Sequence, residues 1–242
     1  MAAEPWRRSG ERAARRLALM TLAGAACGLV VAGVGSRLAM AALAGLNPEA
    51  TGRQSDDDFT MGQFTASGTI NLLIVTTGLG VAGAAFYALV RGLRTGHAWF
   101  DLPALALGPG VVAGAAIVHT DGVDFTLLDP VALAIALFVL VPAAYCLAIT
   151  LLAERLLLAE ERWAARARLR SLAPLALWIP LAPVLAVVCL FWAAREGIAR
   201  TWWGAAAIGH PARISIARGA LVVIFGLSVA DLCHDAGTVT GK

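Results

Sequence analysis

The stretch VALAIALFVLVPAAYCLAITLLA, residues 131–153, runs for 23 positions without a charged side chain. As an α-helix it would extend about 35 Å, which is enough to cross the ~30 Å hydrocarbon layer of a bilayer. Comparable apolar stretches occupy residues 17–36, 68–90, 102–118, 172–193 and 214–233. Only the last of these contains charges, Arg218 and Asp231. The pattern predicts a multi-pass integral membrane protein.

The composition agrees with a membrane location. The chain is 59% hydrophobic and 14% charged, whereas soluble domains are about 45–50% apolar and about 25% charged. Continuous apolar runs favour helices, because barrel strands would show alternating segments of about 10 residues. The predicted fold class is an all-α polytopic transmembrane helix bundle with about six spans and short loops. Its parts are an Arg-rich arm (1–16), a single transmembrane domain (17–233) and a short tail (234–242).

The distribution of basic residues predicts the orientation, because Lys and Arg in short loops are retained in the cytoplasm. With six spans and the N-terminus inside, thirteen Lys and Arg lie in inner segments and four in outer loops. This predicts a plasma-membrane protein with both termini cytoplasmic. Three of the four outer basic residues fall in the loop 194–213, so the last two spans are the least well defined and a re-entrant ending stays open.

Basic and acidic residues fall at the same predicted depth, at the outer ends of the spans. Arg37 and Arg218 fall near this boundary, and the flanking outer loops contain aspartates, among them Asp58, Asp121 and Asp124. Because a charge at membrane depth snorkels or pairs, we expect an outer-rim ionic network. Such a network either ties the loops to the helix ends or forms a binding site, and the structural role is the more common one.

Two histidines fall on the same predicted outer side. His119 and His210 together with Asp121 and Asp124 are weak candidates for metal ligands. Their spacing matches no metal-binding motif, so the sequence predicts no metal and no cofactor. The net charge of +3 is too small to indicate nucleic acid as a partner.

A second basic region follows the fourth predicted span. Arg162, Arg166 and Arg170 repeat at four-residue spacing, which places them along one ridge of a helix that extends into the cytoplasm. The ridge and the Arg-rich arm are candidates for contact with anionic lipid headgroups. A protein partner or a homo-oligomer remains open, and a solvated face is the plainest interpretation of the ridge.

Three functions compete. The first is a non-enzymatic accessory or structural membrane component. The second is a transporter or channel-like protein that uses the proline-containing fifth helix and a polar cavity lined by Asn71, Thr76 and Thr77. The third is an outer-surface enzyme that uses His119, His210 and the loop aspartates. The first is favoured, because the middles of the spans offer no ionisable group for coupled transport and no nucleophile motif is present.

Three short motifs carry a family resemblance. They are GSRLAM at 35–40, DFTMGQFT at 58–65 and DGVDFTLLDP at 121–130. Together with the apolar helix that follows, they resemble an uncharacterised family of small multi-pass membrane proteins from actinobacteria. The resemblance covers residues 17–153 and implies a multi-pass membrane fold and an actinobacterial source. It implies no activity and no site residue, and it does not extend to the segment after residue 172.

Overall fold

The computed structural model describes residues 6–55, 60–118, 125, 127–159, 171–199 and 211–240. These residues form helices joined by short connections, with one isolated β-bridge between Gln54 and Thr60. The helices are α1 (Trp6–Cys27), α2 (Gly35–Leu46), α3 (Ala66–Val90), α4 (Ala98–Ile117), α5 (Val131–Leu158), α6 (Ala182–Ala199) and α7 (Pro211–Thr240). The predicted all-α helical bundle is therefore confirmed.

A π-helical segment, Gly28–Val34, joins α1 to α2, so the first helical rod is continuous over residues 6–46. Three of its glycines, Gly24, Gly28 and Gly33, face α3. A Cβ added at Gly24 would lie 2.4 Å from the carbonyl oxygen of Gly80, and one at Gly28 would lie 2.4 Å from that of Thr76. Only glycine permits this approach, which is how small residues let membrane helices associate.

Helix α5 is the centre of the bundle. It runs antiparallel to α4, where a Cβ at Gly110 would lie 2.7 Å from the Cβ of Ala143. It also packs on α1, where Met20 shares a core cluster with Ile149. Its Tyr145 hydroxyl donates to the carbonyl oxygen of Gly80 at 2.6 Å, which links α5 to α3. Four consecutive long elements therefore pass up and down around one core.

The two ends of the bundle differ in chemistry. We call the end that contains Arg91, Arg94 and Glu154 the arginine end, and the end that contains Leu43 and Asn47 the Asn47 end. Helix α1 begins at the arginine end and α2 finishes at the Asn47 end, where the Asn47 amide donates to the Leu43 carbonyl at 2.8 Å. Helix α3 returns to the arginine end, α4 runs back, and α5 returns again.

The predicted fifth span, 172–193, is where the structure differs most from the prediction. A short 3₁₀ helix, Ala173–Trp178, precedes a turn, and α6 follows. The Trp178 indole is buried and donates to the Thr21 hydroxyl at 2.8 Å. Pro180 lies in the turn between the 3₁₀ helix and α6. Because proline lacks a backbone N–H donor, no continuous helix crosses this region.

Segment 171–199 turns back inside the bundle, and α6 runs toward the arginine end. Helix α6 packs beside the first half of α1, and the ring of Trp192 lies 3.7 Å from where a Cβ of Gly10 would be. Gly10 precedes Thr21 by eleven residues, about 16 Å along the helix toward the arginine end. The chain therefore descends to the level of Thr21 and returns, as a re-entrant hairpin does.

Helix α7 starts at the arginine end, where Arg218 donates to the carbonyls of Leu93 and Arg94 at 2.8 and 2.7 Å. Near its other terminus Val239 packs in a cluster with Leu43 and Val118. Among the described residues, five helical segments are long and apolar enough to cross a membrane, and the first of them runs through α1, the π-helical segment and α2. Residues 6 and 240 therefore lie at opposite ends of the bundle. This arrangement differs from the six spans of the prediction, and the side of the membrane on which each terminus lies stays a prediction.

Candidate functional site

A polar cluster joins α3 and α5 at the arginine end. The carboxylate of Glu154 accepts a hydrogen bond from the Tyr87 hydroxyl at 2.9 Å and from Arg91 Nε and Nη2 at 3.1 and 3.0 Å. Arg94 Nη1 lies 3.6 Å from the same carboxylate. A bidentate guanidinium contact of this kind is strong and orients both groups.

A second carboxylate holds the connection between α3 and α4. Asp101 in the first turn of α4 is buried and accepts the backbone N–H groups of Thr95 and Gly96 at 2.8 and 2.9 Å. The Thr95 hydroxyl donates to it at 2.8 Å, and Arg94 Nε lies 3.7 Å away. A carboxylate at a helix N-terminus also complements the helix dipole.

Arg218 completes this cluster from α7 through its two bonds to the carbonyls of Leu93 and Arg94. We call Arg91, Arg94, Glu154, Asp101 and Arg218 the arginine clasp. The clasp connects four helices through hydrogen bonds and ion pairs. The prediction that Arg218 joins Arg37 in one outer-rim network is wrong, because α7 runs in the opposite direction and Arg218 lies at the arginine end.

The clasp was missed from the sequence, although signals for it exist. Glu154 directly follows the uncharged stretch 131–153, and Arg91 directly follows the apolar stretch 68–90. Two parallel spans that end at the same side of the bundle with opposite charges form a natural ion pair. Recognising that pair requires knowing that α3 and α5 are neighbours, which the sequence alone does not state.

Arg37 lies at the Asn47 end, beside a cavity of about 80 Å³. Its guanidinium carbon is 5.7 Å from the centroid of the Phe64 ring, a cation–π contact. The adjoining wall includes Asn47, whose side-chain oxygen accepts the backbone N–H of Asp129 at 2.6 Å. This end is therefore closed by a mixed polar and aromatic cluster.

The other predicted site residues lie outside the described residues. They are Asp58, Asp121, Asp124, His119, His210, Arg162, Arg166 and Arg170. The outer-rim network around Arg37, the cytoplasmic ridge and the weak metal candidates therefore stay predictions. Within the described ranges, no group of three or more His, Cys, Asp or Glu residues could hold a metal ion.

Threonine hydroxyls inside the described helices donate to the backbone of their own helix. Thr76 Oγ1 donates to the carbonyl of Leu72 at 2.8 Å, and Thr77 Oγ1 donates to that of Leu73 at 2.6 Å. Thr76 is buried against the π-helical segment, and Asn71 is exposed on the outer side of α3. These three side chains do not line a common cavity, contrary to what a transport pathway through them requires.

Helix α7 is the least covered element. Residues 219–227 are exposed at nine consecutive positions. The helix meets the bundle at its start through Arg218 and near its end through Leu232 and Val239. Asp231, the one acidic residue of the predicted last span, is also exposed. The sequence shows this charge but gives no reason to place it on an uncovered surface.

Comparisons with protein-family models, with curated proteins and with solved structures found no match for this chain. The site residues and their geometry are therefore the basis for any assignment. They describe an apolar helix bundle with a hydrogen-bonded polar clasp at one end and an uncovered helix on one side.

Proposed function

We propose that this protein is a non-enzymatic accessory component of the plasma membrane: a closed helix bundle that conducts no solute and acts through its lipid and protein contacts. One observation carries the proposal. The hydroxyls in the middle of the bundle, such as those of Thr76 and Tyr145, donate to backbone carbonyls at close helix crossings. Polar groups used in this way stabilise helix packing and leave no wet pathway.

The fold supports a revised orientation, with the arginine end cytoplasmic and the C-terminus on the opposite side. By chain connectivity, this orientation would also put the basic residues between the hairpin and the start of α7 on the cytoplasmic side, namely Arg195, Arg200 and Arg213. With that topology, sixteen of the nineteen Lys and Arg residues lie on the cytoplasmic side. The three others are Arg37, Arg53 and Lys242. This distribution fits the retention of basic residues better than a six-span topology does.

The same orientation supports anionic lipids as partners. The Arg-rich arm, the ridge of Arg162, Arg166 and Arg170, and the clasp arginines would all face the cytoplasmic leaflet. Each basic residue near an anionic surface gains about 1 kcal/mol. Contact with phosphate headgroups would therefore hold the bundle at a fixed depth and leave its apolar sides for other membrane components.

The competing functions have less support. A transporter that uses the fifth predicted helix would need a continuous kinked helix and a polar cavity, whereas residues 171–199 form a re-entrant hairpin. An outer-surface enzyme would depend on His119 and His210, both outside the described residues. No observed contact among the described side chains favours either of these functions.

Cysteine accessibility tests the proposal. In a chain with its four native cysteines replaced by alanine, Gly92→Cys and Gly237→Cys provide exposed references near the two ends, because neither glycine has an atom near its Cβ position. Thr76→Cys reports on the interior. A membrane-impermeant thiol reagent applied to intact cells should modify only Gly237→Cys, and after permeabilisation it should modify Gly92→Cys as well.

Thr76→Cys should stay unmodified on both sides, and proteoliposomes should leak dye and potassium no faster than protein-free vesicles. Leu79→Cys is the matched control in the same helix: Leu79 is 66% exposed on the outer surface of the bundle, and because a thiol in hydrocarbon stays protonated and unreactive, it too should stay unmodified until detergent denaturation exposes it to the reagent. Modification of Thr76→Cys at the rate of Gly92→Cys would contradict a closed bundle. Equal sidedness of Gly92→Cys and Gly237→Cys would contradict the orientation.

A further inference from the structure

The middle of α7 lacks the buried stripe that a bundle helix normally has. Every residue from 219 to 227 is exposed, which is more than two helical turns. The exposed side chains there are large and apolar, and Val222 and Leu227 are each 67% exposed. A bundle helix normally buries one face along its whole length. Here only the two ends of the helix contact the rest of the described bundle.

One exposed stripe of α7 has the spacing of a helix-pairing surface. Ile224, Leu227, Asp231 and His234 follow one another at intervals of three and four residues, and all four are exposed. This spacing places them on a single face that can pack along a neighbouring helix. We call these four residues the α7 stripe. Asp231, its acidic member, lies between the apolar residues Ile224 and Leu227 and the C-terminal end of the helix.

Asp231 lies within the thickness of the bundle and not at its rim. The neighbouring Leu232 lies 3.7 Å from the Cβ position of Gly114, which is three residues before the end of α4. Asp231 also follows Arg218 by thirteen residues, about 20 Å from the arginine end. It falls inside the apolar span Ile214–Val239. No hydrogen bond or ion pair joins its carboxylate to another side chain in the part of the chain that the structure describes.

A carboxylate in this position requires a cation. Acidic residues inside membrane spans normally pair with an opposite charge, because an isolated carboxylate in hydrocarbon is costly. A second copy of this chain is a poor source of that cation at the α7 stripe. If two stripes faced each other around an axis along the membrane normal, Asp231 would meet Asp231. Charge complementarity therefore favours a different protein.

We propose that the α7 stripe binds a transmembrane helix of another membrane protein, and that this helix carries a lysine or arginine at the depth of Asp231. The proposal rests on the accessory function proposed above and names the class of partner. The apolar residues Ile224 and Leu227 supply packing, and the Asp231 carboxylate selects the partner by its charge. Arg218 positions the stripe by fixing the start of α7 to the arginine end.

Disulfide capture of a synthetic helix tests this assignment. The full chain with Leu227→Cys is reconstituted with an apolar 21-residue Leu–Ala peptide (about 30 Å as a helix) that carries one lysine at the Asp231 depth and one cysteine a turn away. The control peptide has leucine in place of lysine. Native Cys233 is an internal control, because it is exposed near the same depth but two residues from Asp231, on a different face of the helix.

We expect the lysine peptide to cross-link to the introduced thiol about tenfold more than the leucine peptide, since polar contacts between membrane helices have effects of this size. Asp231→Leu should abolish the preference, and Asp231→Asn should weaken it. Both variants should unfold at the wild-type temperature, because residue 231 is exposed.

Equal capture of the two peptides, equal capture at Cys233, or an unchanged preference in Asp231→Leu would overturn the proposal. Disulfide-linked homodimers of Leu227→Cys that exclude the peptide would identify a second copy as the occupant and would also overturn it. These outcomes are independent of the leakage and Thr76→Cys measurements. Failure of this pairing is therefore distinguishable from failure of the proposed function.

Discussion

Helices α3 and α7 have the same mean hydropathy over their most apolar windows, yet a third of that window is buried in α3 and none of it in α7. The difference follows from their small residues. In α3, Gly80 meets the backbone of α1, whereas Gly226 in α7 has open space around its Cβ position. Apolarity makes a helix suitable for a membrane, but complementary small residues decide whether it packs against its own chain.

The largest difference in the free energy of unfolding is expected when one large aromatic side chain that packs against α3 and one that belongs to α7 are replaced. Trp178 is buried on the Val81 and Ala85 face of α3 and hydrogen-bonded to Thr21, whereas Phe225 of α7 is 38% exposed. Trp178→Ala should lower the free energy of unfolding by about 3 kcal/mol, because it leaves a cavity and removes the hydrogen bond that the indole donates to the Thr21 hydroxyl. Phe225→Ala should change it by less than about 0.5 kcal/mol.

Unfolding of both aromatic variants in the same detergent, followed by circular dichroism, measures this contrast. Trp178→Phe separates the two contributions, because it keeps most of the volume and removes only the indole donor. A Trp178→Ala variant as stable as the Phe225→Ala variant would show that the hairpin does not stabilise α3.

Glycine substitutions test the same comparison with smaller expected changes in the free energy of unfolding. Gly80→Ala places a methyl group 2.4 Å from the carbonyl oxygen of Gly24, so α1 and α3 must separate, and we expect a loss of about 2 kcal/mol. Gly226→Ala adds the same methyl group where nothing lies within 4 Å, and it should be neutral or slightly stabilising. Thermal unfolding of the two single variants compares them directly. Equal melting temperatures would argue against the close crossing of α1 and α3.

The smallest loss of stability is expected from a change at Arg218, which attaches the start of α7 to the rest of the bundle. Arg218→Gln removes the guanidinium that donates to the carbonyls of Leu93 and Arg94, and it should cost about 1 kcal/mol. The loss should be local. Hydrogen exchange followed by mass spectrometry should speed up in α7 and stay unchanged in α3. Arg53→Gln is a matched change of charge at an exposed residue outside α7 and should leave the exchange of α7 unaltered.

The sequence located most of the helices because long uncharged runs have one stable form in lipid. Predicted stretches 68–90, 102–118 and 131–153 correspond to Ala66–Val90, Ala98–Ile117 and Val131–Leu158. The first prediction, 17–36, is short because helical backbone continues through the arginines before residue 17 and past Arg37. Stretch 172–193 is as apolar as its neighbours but does not form one helix, since prolines interrupt it.

The candidate sites were less predictable. Arg218 was assigned to the wrong end because its position depended on the number of crossings before α7, and the hairpin changed that number. Arg91 and Glu154 were not paired, although both lie at span ends. Asp231 was visible as a charge in an apolar stretch, but its exposure depends on which helices cover α7.

The amino-acid sequence by itself determined that this chain forms apolar helices suited to a bilayer, because backbone groups in hydrocarbon must be satisfied within each helix. It also determined where the basic residues lie along the chain. Only the tertiary structure decided which helices touch, that residues 171–199 turn back, and that Asp231 faces away from its own bundle. These features depend on shape complementarity between distant segments, which side-chain hydropathy does not encode.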